Sequence, residues 1–347
     1  MKIGLLGLPQ SGKKALFRLL TGTENISVNL GICKIKDFRL ENIAKIYNSE
    51  KITCAEIEYQ LIPAIIPGHE SLKNSINILK NLDALCVVIR DFKDETIYHI
   101  NESVDPSRDI NNIFQELTLA DLMLVETRIE RIKDAEKRNN IPALEKEKLL
   151  LLKIKSQLEN EIPIRNMDFN EEEQKALRPL QFVTMKNVLV VLNTNDLDLG
   201  KTLPAEIKKY EAKNTLILPI AVKTEEEINS LEESEREEFL KELGIKEHAI
   251  DLMTRLSAQL LNLIIFFTAG KNEARAWLIP KGLNAPQTAG KIHSDLERGF
   301  IRAEVIKLKD LEELGSEQAV KEAGKWSLKG KDYIIEEGDI VLFRFNV

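Results

Sequence analysis

Near its start the chain reads Lys2-Ile3-Gly4-Leu5-Leu6-Gly7-Leu8-Pro9-Gln10-Ser11-Gly12-Lys13-Lys14-Ala15-Leu16-Phe17-Arg18-Leu19-Leu20, and this stretch decides the fold. Lys2–Leu6 reads as a buried strand and Lys13–Leu20 as the opening of a helix. Between them Gly7 to Lys13 has the spacing G-x4-G-K. A strand, a glycine-bounded loop and a helix are the context a phosphate-binding loop needs. The glycines let backbone N–H groups converge on phosphate oxygens, the helix N-terminus adds a favourable dipole, and Lys13 neutralises β and γ phosphates. The expected phosphate-contacting set is Gly7, Leu8, Pro9, Gln10, Ser11, Gly12, Lys13, Lys14 and Ala15. The last motif position departs from the pattern. Lys14 stands where Ser or Thr would bind Mg²⁺, and an ammonium cannot ligate a cation. Two readings follow: a solvent-facing lysine in a loop that has stopped hydrolysing, or a charge that partly replaces the metal.

Further strands are expected at Ala55–Ile62, Leu85–Ile89, Val188–Leu192 and Thr215–Ile220. The second and third of these lack polar alternation, as central parallel strands covered on both faces do. Strands separated by helical patterns predict an α/β fold with a parallel-type sheet and crossover connections. Asn111 to about Lys137 and Pro142–Glu161 read as two helices broken at Asn139, Asn140 and Pro142, an antiparallel hairpin with solvated charged faces. An acidic helical stretch at Thr224–Leu243 leads through Leu252–Leu261 to a glycine-punctuated region of short strands. Its ending, Asp332–Ile335 then Gly338–Phe345, reads as a hairpin. The expected division is residues 1–110 with 180–262 as the nucleotide domain, 111–179 as the helical insertion, and 263–347 as a small mixed C-terminal domain.

Asn193-Thr194-Asn195-Asp196 follows the fourth strand and fits N-x-x-D at the strand end where open α/β sheets place ligands. An Asp there accepts two hydrogen bonds from a guanine edge while the Asn buttresses the site. The next strand runs into Ala221-Val222-Lys223, where a base-contacting loop commonly sits. Asn193, Asp196, Ala221, Val222 and Lys223 form the expected base-binding set, with ATP or GTP as ligand.

Composition sets the limits. The 347 residues carry 49 Lys plus Arg against 56 Asp plus Glu, a net charge of −7, with 5% aromatics. A chain whose whole surface is a nucleic-acid footprint is disfavoured, and so are broad base-stacking platforms. No DNA or membrane partner is expected. Cys33, Cys54 and Cys86 form no CxxC pair, and the four histidines are too dispersed for a metal motif. The N-terminal apolar stretch is interrupted by Pro9 and Lys13 and is neither a signal peptide nor a span. The expectation is a soluble cytoplasmic protein with no metal ligands assigned.

At this point the residues resemble a family, the YchF group of Obg-related P-loop NTPases in the translation-factor class. The resemblance runs through Phe267-Thr268-Ala269-Gly270, Glu273, Arg275-Ala276-Trp277, Ala285-Pro286-Gln287, Arg298-Gly299-Phe300-Ile301-Arg302-Ala303-Glu304-Val305, Lys321–Trp326, Gly330–Tyr333 and Phe343–Val347. Val104-Asp105-Pro106, Leu117–Leu122, Glu237–Leu240 and Leu243-Gly244 are also family-like. It implies a Ras-like P-loop domain with a helical hairpin insertion and a C-terminal TGS-like β-grasp domain. It also implies binding and hydrolysis of ATP or GTP, and association with ribosomes. The family's base loop usually reads Asn-x-x-Glu, so Asp196 leaves adenine against guanine open.

Three departures concern the metal and the γ-phosphate. The chain is short between Thr23 and Arg39, where the first switch and its threonine belong. The Asp-x-x-Gly expected near Leu61-Ile62-Pro63-Ala64 has neither acid nor glycine. The glycine-rich stretch after it shrinks to Pro67-Gly68-His69-Glu70. Phosphoryl transfer rests on positioning and charge neutralisation, so turnover should fall by orders of magnitude. His69 lies where the second switch would be, and an exposed loop histidine is its plainer reading. The leading expectation is a purine-nucleotide binder with weak or lost hydrolysis. A nucleotide-independent scaffold that binds ribosome or RNA through residues 263–347 is the alternative, and an active ATPase with a rebuilt metal site a third. Residues 265–347 carry 13 basic and 13 acidic side chains, so RNA contact there needs a local cluster such as Arg275, Lys281, Lys291, Arg298 and Arg302.

Overall fold

The computed structural model describes residues 1–23, 28–68, 71–137, 142–232, 235–236 and 248–346, with the side chains of Ser71 and Lys73 left out. His69, the Asn139-Asn140 break, and the family-like residues Glu237–Leu240 and Leu243-Gly244 lie outside them. The chain divides into two compact units, Met1–Gly31 with Glu58–Met253, and Ile32–Ile57 with Thr254–Val347.

In order, the first part of the chain forms β1 (Lys2–Leu6), α1 (Lys13–Thr21), β2 (Leu30–Ile35), α2 (Phe38–Tyr47), β3 (Lys51–Thr53), β4 (Ala55–Leu61), α3 (Ser71–Lys80) and β5 (Ala84–Arg90). There follow α4 (Pro106–Glu136), α5 (Pro142–Glu159), α6 (Glu171–Leu177), β6 (Asn187–Asn193), α7 (Ala205–Lys208), β7 (Thr215–Ile220), α8 (Val222–Ser230) and α9 (Ala249–Leu260). One sheet has the order β2-β4-β1-β5-β6-β7. Its β4-β1, β1-β5, β5-β6 and β6-β7 ladders are all parallel, as the unbroken apolar runs predicted. Leu85, Val87, Ile89, Val188, Val190 and Leu192 supply much of the core, with Ile110, Ile113 and Leu117 of α4 packed on them. The register Arg90↔Asn193 and Asn193↔Ile220 aligns three strand ends at one edge of this core, which is where the loops that matter begin.

The helix expected from Asn111 starts earlier, at Pro106. Asp105 caps it through Arg108 N, and proline is favoured in the first turn because its missing N–H has no partner to lose. The hairpin seam is apolar, with Val125, Ile129 and Ile132 against Leu150, Leu151, Ile154 and Leu158. Arg128–Glu147 at 2.7 Å and Lys155–Glu126 at 2.7 Å flank it, pairs that contribute little beyond register. Asp121 fastens the hairpin to the returning chain by accepting from Val183 N at 3.0 Å and from the N–H and hydroxyl of Thr184, each at 2.7 Å. The acidic stretch expected as one helix from Thr224 to Leu243 is interrupted, since α8 ends at Ser230 with an extended cap at Leu231 and helix is described again at Glu235 and Arg236.

The second unit comprises residues 32–57 with β8 (Leu263–Ala269), β9 (Glu273–Pro280), α10 (Ala285–Ile292), α11 (Ser294–Arg298), β10 (Phe300–Lys307), α12 (Leu308–Leu314), α13 (Glu317–Glu322), β11 (Ser327–Lys329) and β12 (Asp339–Phe345). Its sheet order is β11-β10-β12-β8-β9-β3. Antiparallel β8-β9 and β10-β12 meet at a parallel β12-β8 step, with α10 packed on the core of Ile264, Phe266, Val305 and Val341. That arrangement is a β-grasp. The predicted terminal hairpin does not form. Asp332–Ile335 instead bridges to residues 283–285, through Ala285 N to Tyr333 O at 2.8 Å and Ile335 N to Leu283 O at 3.1 Å, and β12 pairs with β10 and β8.

The sequence-based division keeps residues 32–57 with the nucleotide domain, whereas the structure groups them with the C-terminal residues. The reason is non-local pairing. β3 lies parallel to β9 with Lys51 opposite Glu273, Ser49 Oγ donates to Gly270 O at 2.7 Å, and the Arg39 guanidinium stacks 5.4 Å from the Phe267 ring centre.

Candidate nucleotide-binding site

β1 ends in the buried Leu6, and the chain turns through Gly7–Gly12 into α1. Gln10 at φ 60° and Gly12 at φ 90° are both left-handed, which makes the turn tight enough to aim α1 back at the strand end. A Cβ on Gly7 would lie 2.5 Å from Val88 O, and one on Gly12 would overlap the Asn193 amide nitrogen. Close packing therefore demands glycine at both motif positions. No side chain caps α1, so its first N–H groups remain available to an anion.

Lys13 is buried, and its Nζ donates to Ile62 O at 2.9 Å and to Gly7 O at 3.4 Å. Among the described residues no carboxylate pairs with it. Burial, with the neighbouring Lys14 charge second, lowers its pKa to about 8. Such a lysine has an unmet demand for negative charge. Ser11 Oγ is also buried without a partner. Lys14 is exposed on the first turn, while Leu8 is buried under the loop.

The residues expected at the base end separate into two groups. Asn193 is buried and bridges, its Nδ2 donating to Ser11 O at 3.1 Å and its Oδ1 accepting from Val222 N at 3.2 Å. Ala221 and Val222 are buried at the start of α8. One amide thus ties the glycine loop to the end of β7. Asp196 and Lys223 instead lie exposed at the rim, Asp196 opening a short 3₁₀ turn beside Leu197, which is 82% exposed.

Sequence reasoning missed a cluster behind the loop. Arg90, His99 and Asp109 are buried and line a narrow crevice with Leu8, Pro9 and Ser11. His99 Nδ1 accepts from Asn101 N at 3.1 Å, which assigns the ring proton to Nε2, 2.9 Å from Asp109 Oδ2. Asp109 Oδ1 accepts from Arg108 Nε at 3.0 Å and Asn101 Nδ2 at 3.2 Å, while Arg90 donates to Phe92 O, Ile97 O and Asp94 O. This network ties the 91–105 loop to the end of β5 and the start of α4, beside the glycine loop. Its one legible signal was an aspartate on the apolar face of α4, beside Ile110 and in step with Ile113.

The metal chemistry implied by a phosphate loop does not fit these residues. Lys14 is cationic, Leu61 stands at the position expected for an aspartate, Ile62 offers only its carbonyl, to Lys13, and no cluster of three or more His, Cys, Asp or Glu suited to a metal occurs among the described residues.

A ribosome-binding ATPase YchF of Bacillus subtilis (strain 168) is 40% identical over 362 residues, spanning 99% of each chain. The chain belongs to the YchF family. An Escherichia coli O157:H7 ribosome-binding ATPase YchF is 37% identical over 362 residues, spanning 100% of this chain and 99% of that one. Among solved structures, the Schizosaccharomyces pombe YchF GTPase superposes at TM-score 0.87 with 29% identity, over 99% of this chain and 97% of that chain. A GTP binding protein from Pyrococcus horikoshii OT3 shares the fold at TM-score 0.61 and 17% identity, with full coverage of both chains. The YchF-GTPase C-terminal family model, described as "Protein of unknown function (DUF933)", matches residues 263–346. The YchF comparisons establish the expected P-loop α/β fold with its C-terminal YchF domain. No helix among the described residues is long and apolar enough to cross a membrane.

Proposed function

We propose that this YchF-family chain binds a purine nucleotide, ATP or GTP, on Gly7–Lys14 and the Asn193 and Ala221–Lys223 strand ends, with weak or lost hydrolysis. The observation that carries the reading is the Asn193 bridge, which couples the glycine loop to the base end through one buried amide. A tight turn with no ligand has no need of an uncompensated buried lysine at its end, and Lys13 supplies one. Asp196 and Lys223 at the rim are the residues to contact the base.

Weak turnover is inferred from side chains. No acid stands at Leu61–Ala64, no hydroxyl stands at residue 14, and His99 is buried with its Nε2 2.9 Å from Asp109 Oδ2. None of these can align a water on a terminal phosphate.

Association with ribosomes in the cytoplasm is part of the proposal, because relatives across the whole chain length are named ribosome-binding. The C-terminal residues 263–347 are the proposed contact. Within the suggested basic cluster Arg298 pairs with Asp295, Arg302 lies 3.8 Å from Glu304, and Arg275 stacks 4.1 Å over the Trp277 ring. Arg275 and Arg302 are the two to mutate first.

Calorimetric titration with ATP, GTP and their diphosphates tests the nucleotide reading. Saturable one-site binding that disappears in Lys13→Ala is expected, and absence of binding by all four nucleotides would leave the scaffold reading. Co-sedimentation with ribosomes across a salt series tests the partner, with a steep salt dependence expected and no pelleting at low salt as the contrary result.

A further inference from the structure

The phosphate end of the site holds two neighbouring cations and an acid-free wall. Lys13 and Lys14 begin α1, and the two ammonium groups are near enough to repel. Opposite them the chain after β4 is apolar and bound by its backbone. Ile62 and Ile65 are buried, Ile62 O accepts from Lys13 Nζ at 2.9 Å, and Ile65 N donates to Gly7 O at 3.2 Å. These two main-chain groups are therefore engaged in fastening this wall to the loop. A divalent ion entering here would meet like charge from Lys14 and find no hard oxygen ligand from a side chain at residue 14 or at residues 61–64. A metal-free polyphosphate would meet the opposite situation. The charge that Mg²⁺ would cancel remains on its oxygens, two lysines stand on the first turn of α1 beside it, and the uncapped N-terminus of that helix adds its dipole.

From the placement of Lys14 beside Lys13 against the acid-free Ile62–Ile65 segment, we infer that this chain takes its nucleotide without a divalent cation, Lys14 serving as the counter-charge on the polyphosphate. This rests on the nucleotide reading above and adds the ionic form of the ligand to it. The cation is covalently part of the protein, so nucleotide exchange is uncoupled from metal release. It also explains why the chain tolerates an apolar segment where a metal-dependent site requires an acid.

The same arrangement predicts competition. Mg²⁺ already bound to the nucleotide withdraws phosphate oxygens from Lys14 and brings a like charge beside it, so added metal should weaken binding. Substituting Lys14 by serine restores a hydroxyl of the ordinary kind but leaves no acid at residues 61–64. That variant should lose affinity for the metal-free ligand without becoming a strong metal-dependent binder.

The test is calorimetric titration of the full chain with ATP and GTP, in EDTA and in excess Mg²⁺, for the parent, Lys14→Ser and Lys14→Ala. Circular dichroism melts accompany each variant, and because Lys14 is exposed the fold should persist. The parent is expected to bind in EDTA at least as tightly as in Mg²⁺, and both variants to weaken about tenfold or more in EDTA, with a smaller loss in Mg²⁺. Binding by the parent only when Mg²⁺ is present overturns the inference and leaves the nucleotide reading standing. Unchanged EDTA affinity in folded Lys14 variants overturns the role of that lysine. No binding in either medium overturns the nucleotide reading, and the inference with it. If a variant fails to fold, the parent's EDTA-to-Mg²⁺ ratio alone decides whether metal is required.

Discussion

Replacing Asn193 by alanine removes a single buried amide with two partners. Val222 N loses its acceptor and Ser11 O its donor, and both residues are buried, so water cannot substitute. An unsatisfied buried group costs about 1–3 kcal/mol, which puts the sum at roughly 2–4 kcal/mol after partial relaxation. For a unit of this size each kcal/mol lowers the melting temperature by about 2–4 °C, so a fall of roughly 5–15 °C is expected by scanning calorimetry. The lesion also frees the glycine loop from the end of β7, so nucleotide affinity should drop with stability. Asn193→Asp separates the two arms: it keeps an acceptor for Val222 N but sets a carboxylate oxygen against Ser11 O. It should therefore retain part of the stability and bind nucleotide worse than the alanine variant, because a negative charge stands beside the phosphates. An Asn193→Ala protein melting within about 1 °C of the parent, against the several degrees expected for two lost buried bonds, would refute the bridging role.

Other perturbations carry equally definite expectations. With a free-state pKa of about 8, Lys13 is increasingly deprotonated above that pH, whereas bound phosphate holds it charged; nucleotide affinity should be flat below pH 7 and fall about tenfold between pH 7 and 9, by titrations across that range. Flat affinity to pH 9 would mean that the Lys13 charge is not used. Gly12→Ala forces a side chain into a left-handed residue and onto the Asn193 amide, so binding should be abolished and the first unit destabilised by about 2 kcal/mol or more, seen by urea unfolding. Asp121→Ala strands the N–H groups of Val183 and Thr184 and should cost about 2–5 kcal/mol while leaving nucleotide affinity near the parent value, a split measured by melts and titrations on one preparation.

The parts legible in the sequence are those whose signal is local. Gly7-x4-Gly12-Lys13 announced its loop because turn, helix start and charge fall within seven residues, and the runs at Leu85–Ile89 and Val188–Leu192 showed covered strands through lack of alternation. The Asn193 motif was readable, but its work in bridging Ser11 O to Val222 N depends on strands meeting across the sheet. Asp109 and His99 escaped notice because nothing in a ten-residue separation across a loop indicates a contact. The grouping of residues 32–57 with the C-terminal unit was hidden for the same reason, since β3 finds β9 far along the chain. The terminal hairpin was read from local pattern and lost to tertiary pairing: β12 gains β10 and β8 as neighbours, and Asp332–Ile335 fastens to the start of α10.

On the proposed function the loop still binds nucleotide while the groups that act on the terminal phosphate are gone. Single-turnover phosphate release from ATP and from GTP, at protein concentrations where calorimetry shows the site occupied, tests that claim most directly. The predicted result is release by the parent equal to, or only slightly above, that by Lys13→Ala, with and without Mg²⁺, despite occupancy in the parent alone. Fast release that depends on Lys13 would contradict it.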